Sequence, residues 1–324
     1  ICDPEVTEIM VNGPEDVFFE KGGRLHRYPF RFSSRERLED VIQSIVAKVN
    51  RTVNEAMPIV DARLADGSRV NAVLPPVSLR GPALTIRKFP ETLITMERLT
   101  SWNALSPEAA QFLASSVAGK KNIFISGGTG AGKTTLLNAL AMYIPLGERI
   151  VAIEDSAELR WRPEANVVQL ETRQPNAEGK GEITIRQLLR AALRMRPNRI
   201  IVGEVRGEEA IDMLQAMNTG HEGSLSTGHA NSVRDMLYRL ETMALAGSGL
   251  PLEAIRRQIA SALHLLVHVS RTADFTRKVT EIAVLEGWRD GDYALRPIFV
   301  WNERPDGSGF LAAAEKAEEE VERC

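Results

Sequence analysis

Two periodicities divide the chain. Up to about residue 90, apolar positions alternate over short runs broken by turn residues: Val6, Ile9 and Val11, then Asn12-Gly13-Pro14, then Val17-Phe18-Phe19 and Gly22-Gly23. A period of two with glycine and proline at the breaks predicts hairpins. Between Ser34 and Asn50 the spacing changes. Leu38, Val41, Ile42, Ile45, Val46 and Val49 recur three and four residues apart, which predicts an amphipathic helix capped by serine. Asp66-Gly67 then turns Ala62-Arg63-Leu64 back towards residues 70–74, and Leu84-Thr85-Ile86-Arg87 ends the region. The pattern is that of an α+β domain over 1–90.

Residues 91–107 are irregular and polar with prolines at both ends, so they are expected to connect two domains. Beyond them, apolar runs at 123–125, 150–153, 167–170, 200–202 and 224–226 alternate with helical stretches. That alternation predicts an α/β domain over 108–311, its parallel sheet covered on both faces. Runs at 265–267 and 279–285 predict an antiparallel extension. Residues 312–324 are expected to be a charged tail, helical from Ala312 to Glu322.

Composition narrows the class. Hydrophobic residues make up 44% and charged residues 26% of 324, the balance of a globular protein long enough for two cores. The net charge of −3 supplies no general attraction to nucleic acid, and no nucleic-acid partner is expected. No apolar run approaches the ~18 residues of a membrane-spanning helix. Cys2 and Cys324 stand at opposite ends with no C-x-x-C spacing, which fits a cytoplasmic protein without a disulfide framework. The opening Ile1-Cys2-Asp3-Pro4 reads as mid-protein sequence, so an upstream segment is expected.

The chemistry is announced by Gly127-Gly128-Thr129-Gly130-Ala131-Gly132-Lys133-Thr134, which matches G-x-x-x-x-G-K-[ST] between an apolar strand and a helix. Glycines let backbone N–H groups close around phosphate oxygens, and the following helix offers its positive end. Residues 128–135, Thr135 included, form the expected cradle. Lys133 is placed to reach the β- and γ-phosphates and the Thr134 hydroxyl to ligate Mg²⁺. A guanine-reading N-K-x-D string is missing, which leaves ATP as the nucleotide.

Two further strands end in acids. Glu154-Asp155 follow the run at 150–153, and Gly203-Glu204 follow 200–202, with glycine where a Walker B strand usually carries aspartate. Glu154 and Asp155 are candidate Mg²⁺ or water ligands, and Glu204 the candidate that polarises attacking water, with Glu154 as the substitute base. His229 closes a Thr-Gly-His turn, where it is either structural or a γ-phosphate sensor. Taken alone, Arg63, Arg69, Arg80 and Arg87 read as solvated strand residues.

In order, these pieces resemble the type II/type IV secretion ATPase superfamily: a Walker A loop, an Asp box at 153–155, a degenerate Walker B at 202–204 and a His box at 219–229. Strings at 193–207 and 213–231, and the opening at 6–13, look closest to the tight-adherence or Flp pilus ATPases of the CpaF type. The resemblance implies a PAS-like N-terminal domain before a RecA-like P-loop ATPase domain, nucleotide between the two, and a homo-hexameric ring. It implies an ATP- and Mg²⁺-dependent motor for pilus assembly, retraction or secretion, peripheral to the inner membrane and acting on a platform protein there. It also implies that Arg69 and Arg87 complete the site, that Glu204 is catalytic and that His229 senses the γ-phosphate. A RecA-like nucleic-acid translocase and a nucleotide-gated scaffold are the competing classes. A scaffold is expected to lack the acids that this chain carries.

Overall fold

The computed structural model describes residues 3, 5–89, 93–175, 179–272, 276–303 and 309–314. The chain separates into two compact units, 1–92 and 93–324.

In the first unit, β1 (Val6–Asn12), β2 (Val17–Lys21), β3 (Arg24–Tyr28), β4 (Ile59–Arg63), β5 (Arg69–Val73) and β6 (Ala83–Arg87) form one antiparallel sheet in the order β3-β2-β1-β6-β5-β4. Helix α1 (Arg35–Ala47) starts where Ser34 Oγ accepts a hydrogen bond from the Arg37 amide at 3.2 Å, satisfying a donor that the first turn leaves open. Its apolar stripe of Leu38, Ile42 and Val46 is buried against Val11, Val70, Leu84 and Ile86. Because side chains alternate along a strand, the residues next to these point to the other face. There Glu8, Arg87, Arg69 and Arg63 stand in one row across four strands.

The second unit contains α2 (Met96–Ser101), α3 (Pro107–Ala118), β7 (Ile123–Gly127), α4 (Lys133–Ala141), β8 (Arg149–Glu154), β9 (Asn166–Glu171), α5 (Ile185–Ala192) and β10 (Arg199–Val202). These are followed by α6 (Glu209–Asn218), β11 (Leu225–Gly228), α7 (Val233–Gly247), α8 (Leu252–Ala262), β12 (Leu265–Arg271), β13 (Arg277–Arg289), β14 (Asp292–Glu303) and β15 (Gly309–Ala313). One sheet runs β15-β14-β13-β12-β7-β11-β10-β8-β9, parallel from β12 to β9 and antiparallel beyond β12. One core lies under α5 to α8, where Leu189, Leu214, Leu237 and Ile259 meet Val151 and Val202. The other lies under α2 to α4, where Leu113 and Leu137 meet Ile123, Ile125 and Ile150. With apolar cover on both faces, the parallel strands read as continuous hydrophobic runs, and all their C-terminal ends open at one edge of the sheet.

Two expectations change. The stretch 91–107 carries α2, whose Met96 and Leu99 are buried in the core of the second unit, with Thr95 Oγ1 accepting from the Arg98 amide. Ala312 and Ala313 do not begin a helix. They end β15, where Ala312 pairs with Val300 and Ala313 with Phe299, so the ladder overrides alanine's helical preference. The rest of the expected tail, 315–324, lies outside the described residues.

At the start of β10, Arg199 is wholly buried. Its guanidinium meets both oxygens of Glu148 at 2.7 and 3.1 Å and donates to the carbonyls of Val117 and Gly223 at 2.6 and 3.2 Å. The charge is thereby matched where it is desolvated. The pair ties the end of α3 and the turn before β8 to the base of the sheet.

Candidate phosphate site and its acids

The loop between β7 and α4 has the shape its glycines permit. At Gly132 φ is +103°, and at Gly127 a Cβ would collide with the carbonyl oxygen of Val269 on β12. Neither position tolerates a side chain. Gly128 and Thr129 are exposed, Ala131 is buried, and Thr134 and Thr135 are half-buried in the first turn of α4. The turn's open amides face the loop with the helix's positive end behind them, which suits an anion.

Lys133 is buried. Its ammonium donates to the carbonyls of Gly127 and Gly128 at 3.2 and 3.0 Å and lies 3.3 Å from Nδ1 of His229. His229 Nε2 is in turn 2.8 Å from Oε1 of Glu204, although the pair is not aligned as a hydrogen bond. The other oxygen of Glu204 accepts from Arg206 at 2.8 Å, and Arg206 reaches Asp155 at 3.4 Å. Lysine, histidine, two acids and an arginine therefore form one chain along the ends of β7, β11, β10 and β8.

Charge follows from that chain. Burial pushes the His229 imidazole below its ordinary value, Lys133 pushes it further, and Glu204 only partly opposes them, so the ring is neutral at neutral pH. Burial pushes the Glu204 carboxyl up, but Arg206, His229 and Lys133 together hold it below the usual carboxylate range. Glu204 is an ionised acceptor beside the loop. An open cleft of ≈ 580 Å³ continues from Gly128 and Thr129 past His229 and Asn231 to Arg239 on α7.

The glycine at Walker B has a physical reason. A Cβ on Gly203 would lie 2.9 Å from Cγ of Glu154 on the neighbouring strand. Glu154 fills that space, is 3% exposed, and accepts the amides of Glu158 and Leu159 on Oε1 at 2.8 and 3.0 Å. One of its oxygens thus holds the turn after β8. Asp155 is exposed and accepts from Thr172 at 3.3 Å as well as from Arg206. His221 is structural, with its Nδ1 3.2 Å from the Ala216 carbonyl.

Arg69 and Arg87 belong to the first unit, where they stand opposite one another on β5 and β6, and Arg87 lies 3.8 Å from Glu8. Sequence reasoning missed Arg63 as their register neighbour and Arg206 as the partner of both acids. The signal for Arg206 was its place two residues after Glu204, on the loop that leaves β10.

Among the described residues, no group of three or more His, Cys, Asp or Glu side chains could hold a metal. The Thr134 hydroxyl and the Asp155 carboxylate are oxygen donors of the kind Mg²⁺ takes, since that ion binds one or two protein oxygens and fills its octahedron with water and phosphate.

The sequence model of the family described as type II/IV secretion system protein matches residues 1–294. The chain belongs to that family. A putative conjugal transfer protein of Mycobacterium tuberculosis is 39% identical over 302 residues, covering 91% of this chain and 84% of the relative. The conjugal transfer protein TrbB of Rhizobium radiobacter is 34% identical over 295 residues, covering 90% and 87%. The pilus retraction motor PilT, solved with bound ADP, superposes with a TM-score of 0.59 at 18% identity over 98% of this chain and 84% of that one, a likeness of fold. The protein is a P-loop ATPase of the secretion family, with an N-terminal domain preceding a RecA-like one.

Proposed function

We propose that this secretion-family ATPase is a Mg²⁺-dependent, ring-forming motor that hydrolyses ATP to drive pilus assembly, pilus retraction or secretion. The contiguity of Lys133, His229, Glu204 and Arg206 beside the phosphate loop carries the reading. Glu204 accepts the proton of the attacking water at Oε1, the oxygen that faces His229. His229, neutral, bridges Lys133 and Glu204, so it registers charge arriving on the lysine side. Residues 128–135 cradle the phosphates. Mg²⁺, held by Thr134 with Asp155 in support, would neutralise phosphate charge. Glu154 braces the turn that carries Asp155 and is the substitute base.

Arg69 and Arg87 supply the cations that the loop lacks, since one lysine and backbone donors leave developing charge on the γ-phosphoryl group only partly balanced. Their place opposite one another on the adjacent strands β5 and β6, which puts both guanidinium groups on one face of the sheet, supports this role. Their presence on a separate unit makes turnover conditional on closure, and closure in a homo-hexamer is the stroke that acts on an inner-membrane platform protein. Contact with that membrane is peripheral, from the cytoplasmic side; no helix among the described residues is long and apolar enough to cross a membrane. The test is specific ATPase activity against protein concentration, with mass followed by light scattering. Activity should rise as rings form and rise further with the platform's cytoplasmic domain. Equal activity in a monomer, or stimulation by DNA instead, contradicts the proposal.

A further inference from the structure

The acids and His229 fix the direction in which a nucleoside triphosphate lies on the loop. In the sheet β12 flanks β7 on one side, and β11, β10 and β8 follow on the other. His229, Glu204 and Asp155 leave the ends of β11, β10 and β8, so the hydrolysed γ end must point that way. The nucleoside end must then leave towards β12.

That flank is cationic. The last pair of the β12–β13 ladder is Arg271 opposite Arg277. Arg277 Nε donates to the Gly130 carbonyl of the phosphate loop at 2.8 Å, and its methylenes lie 3.6 and 4.0 Å from the place a Cβ would take on Gly132. Arg271 is exposed, and one of its guanidinium nitrogens is 3.8 Å from the corresponding place at Gly130. Arg277 thus anchors the strand pair to the loop. Arg271 is carried beside the loop's outer end, on the side away from the acids.

We propose that Arg271 is the nucleoside contact of this ATPase, its planar guanidinium packing on the purine base while Arg277 positions it. The inference rests on the reading of residues 128–135 as the phosphate cradle. A guanidinium suits the task because it is weakly hydrated, always charged and stacks on aromatic faces, which an ammonium does not. Neither arginine was singled out by the sequence, because 271 and 277 follow the phosphate motif by more than a hundred residues.

The experiment compares the binding of ADP and of inorganic pyrophosphate to the full chain, by calorimetry, for the wild type, Arg271→Ala and Arg271→Lys. Base stacking predicts that Arg271→Ala weakens ADP by about tenfold and leaves pyrophosphate unchanged, and that lysine does not restore ADP. Equal loss of both ligands would place Arg271 on the phosphates, unchanged ADP would remove it from the site, and rescue by lysine would reduce it to a charge. Each of these overturns the proposal. A wild type that binds neither ligand contradicts the phosphate cradle itself, a separate failure.

Discussion

Strand β10 carries an arginine–glutamate pair at each end, and the two pairs do different work. At its start, Arg199 and Glu148 have side chains 0% and 12% exposed, and every group on the guanidinium is matched by a carboxylate or a carbonyl. At its end, Arg206 and Glu204 are 56% and 21% exposed, and Glu204 keeps one oxygen turned to His229 beside the phosphate loop. The same two side chains, at similar distances, make a clamp where water is excluded and, in the proposed function, a reactive edge where it is admitted. Position on the sheet decides between them, since ligands of parallel sheets collect at C-terminal strand ends.

The largest expected effect sharpens the reactive end. Arg87→Ala and Arg69→Ala should leave folding and Mg-ATP binding in place while lowering single-turnover hydrolysis by roughly 10³-fold, as for arginines that act on transferring phosphoryl groups. Near-wild-type rates in both would return the row on β5 and β6 to the surface. Circular dichroism and nucleotide affinity serve as controls.

The structural end should respond in stability instead. Glu148→Gln leaves a buried guanidinium without its charge partner, which costs about 3–5 kcal/mol in denaturant unfolding. Arg199 holds the Glu148 carboxyl below the ordinary carboxylate range. A depressed folded value means that the stabilisation is complete above the unfolded carboxylate's titration and is lost as pH falls through the lower, folded one. Wild type should therefore lose this part of its stability on acidification, and the variant should not show that loss. An acid-limb slope that is the same in both would contradict the clamp.

A smaller effect is expected between the two acid-bearing strands. Gly203→Ala places a methyl against Cγ of Glu154, and overpacking of this kind costs about 1–3 kcal/mol. Thermal melting measures it. A melting temperature equal to wild type would mean that Glu154 gives way freely and that glycine is there for another reason.

Most of the fold was legible because burial writes itself into spacing: the period-two runs became β1, β2 and β4 to β6, and the continuous apolar runs became β7, β8 and β10. Strand β14 was not, because Pro297 lies inside it; the ladder accommodates it with a register shift between Ile282 and Ala283. The phosphate loop was legible because its glycines are dictated by backbone geometry at fixed offsets. Arg206 and Arg199 were not, since a charge near a strand end looks the same in sequence whether it faces solvent, an acid or the core. The glycine at 203 showed as a departure, but its cause, the Glu154 side chain on β8, exists only once strands far apart in sequence are neighbours.

The most direct test of the account sets Glu204→Gln beside Glu148→Gln, measuring single-turnover ATP hydrolysis and unfolding free energy for both. The account predicts that Glu204→Gln binds ATP and unfolds like wild type but hydrolyses about 10²–10⁴-fold more slowly, the usual worth of a general base. It predicts that Glu148→Gln is destabilised yet hydrolyses at close to the wild-type rate per folded molecule. Hydrolysis by Glu204→Gln at the wild-type rate, or a loss of stability in it comparable to that of Glu148→Gln, would contradict the assignment of chemistry to one end of β10 and structure to the other.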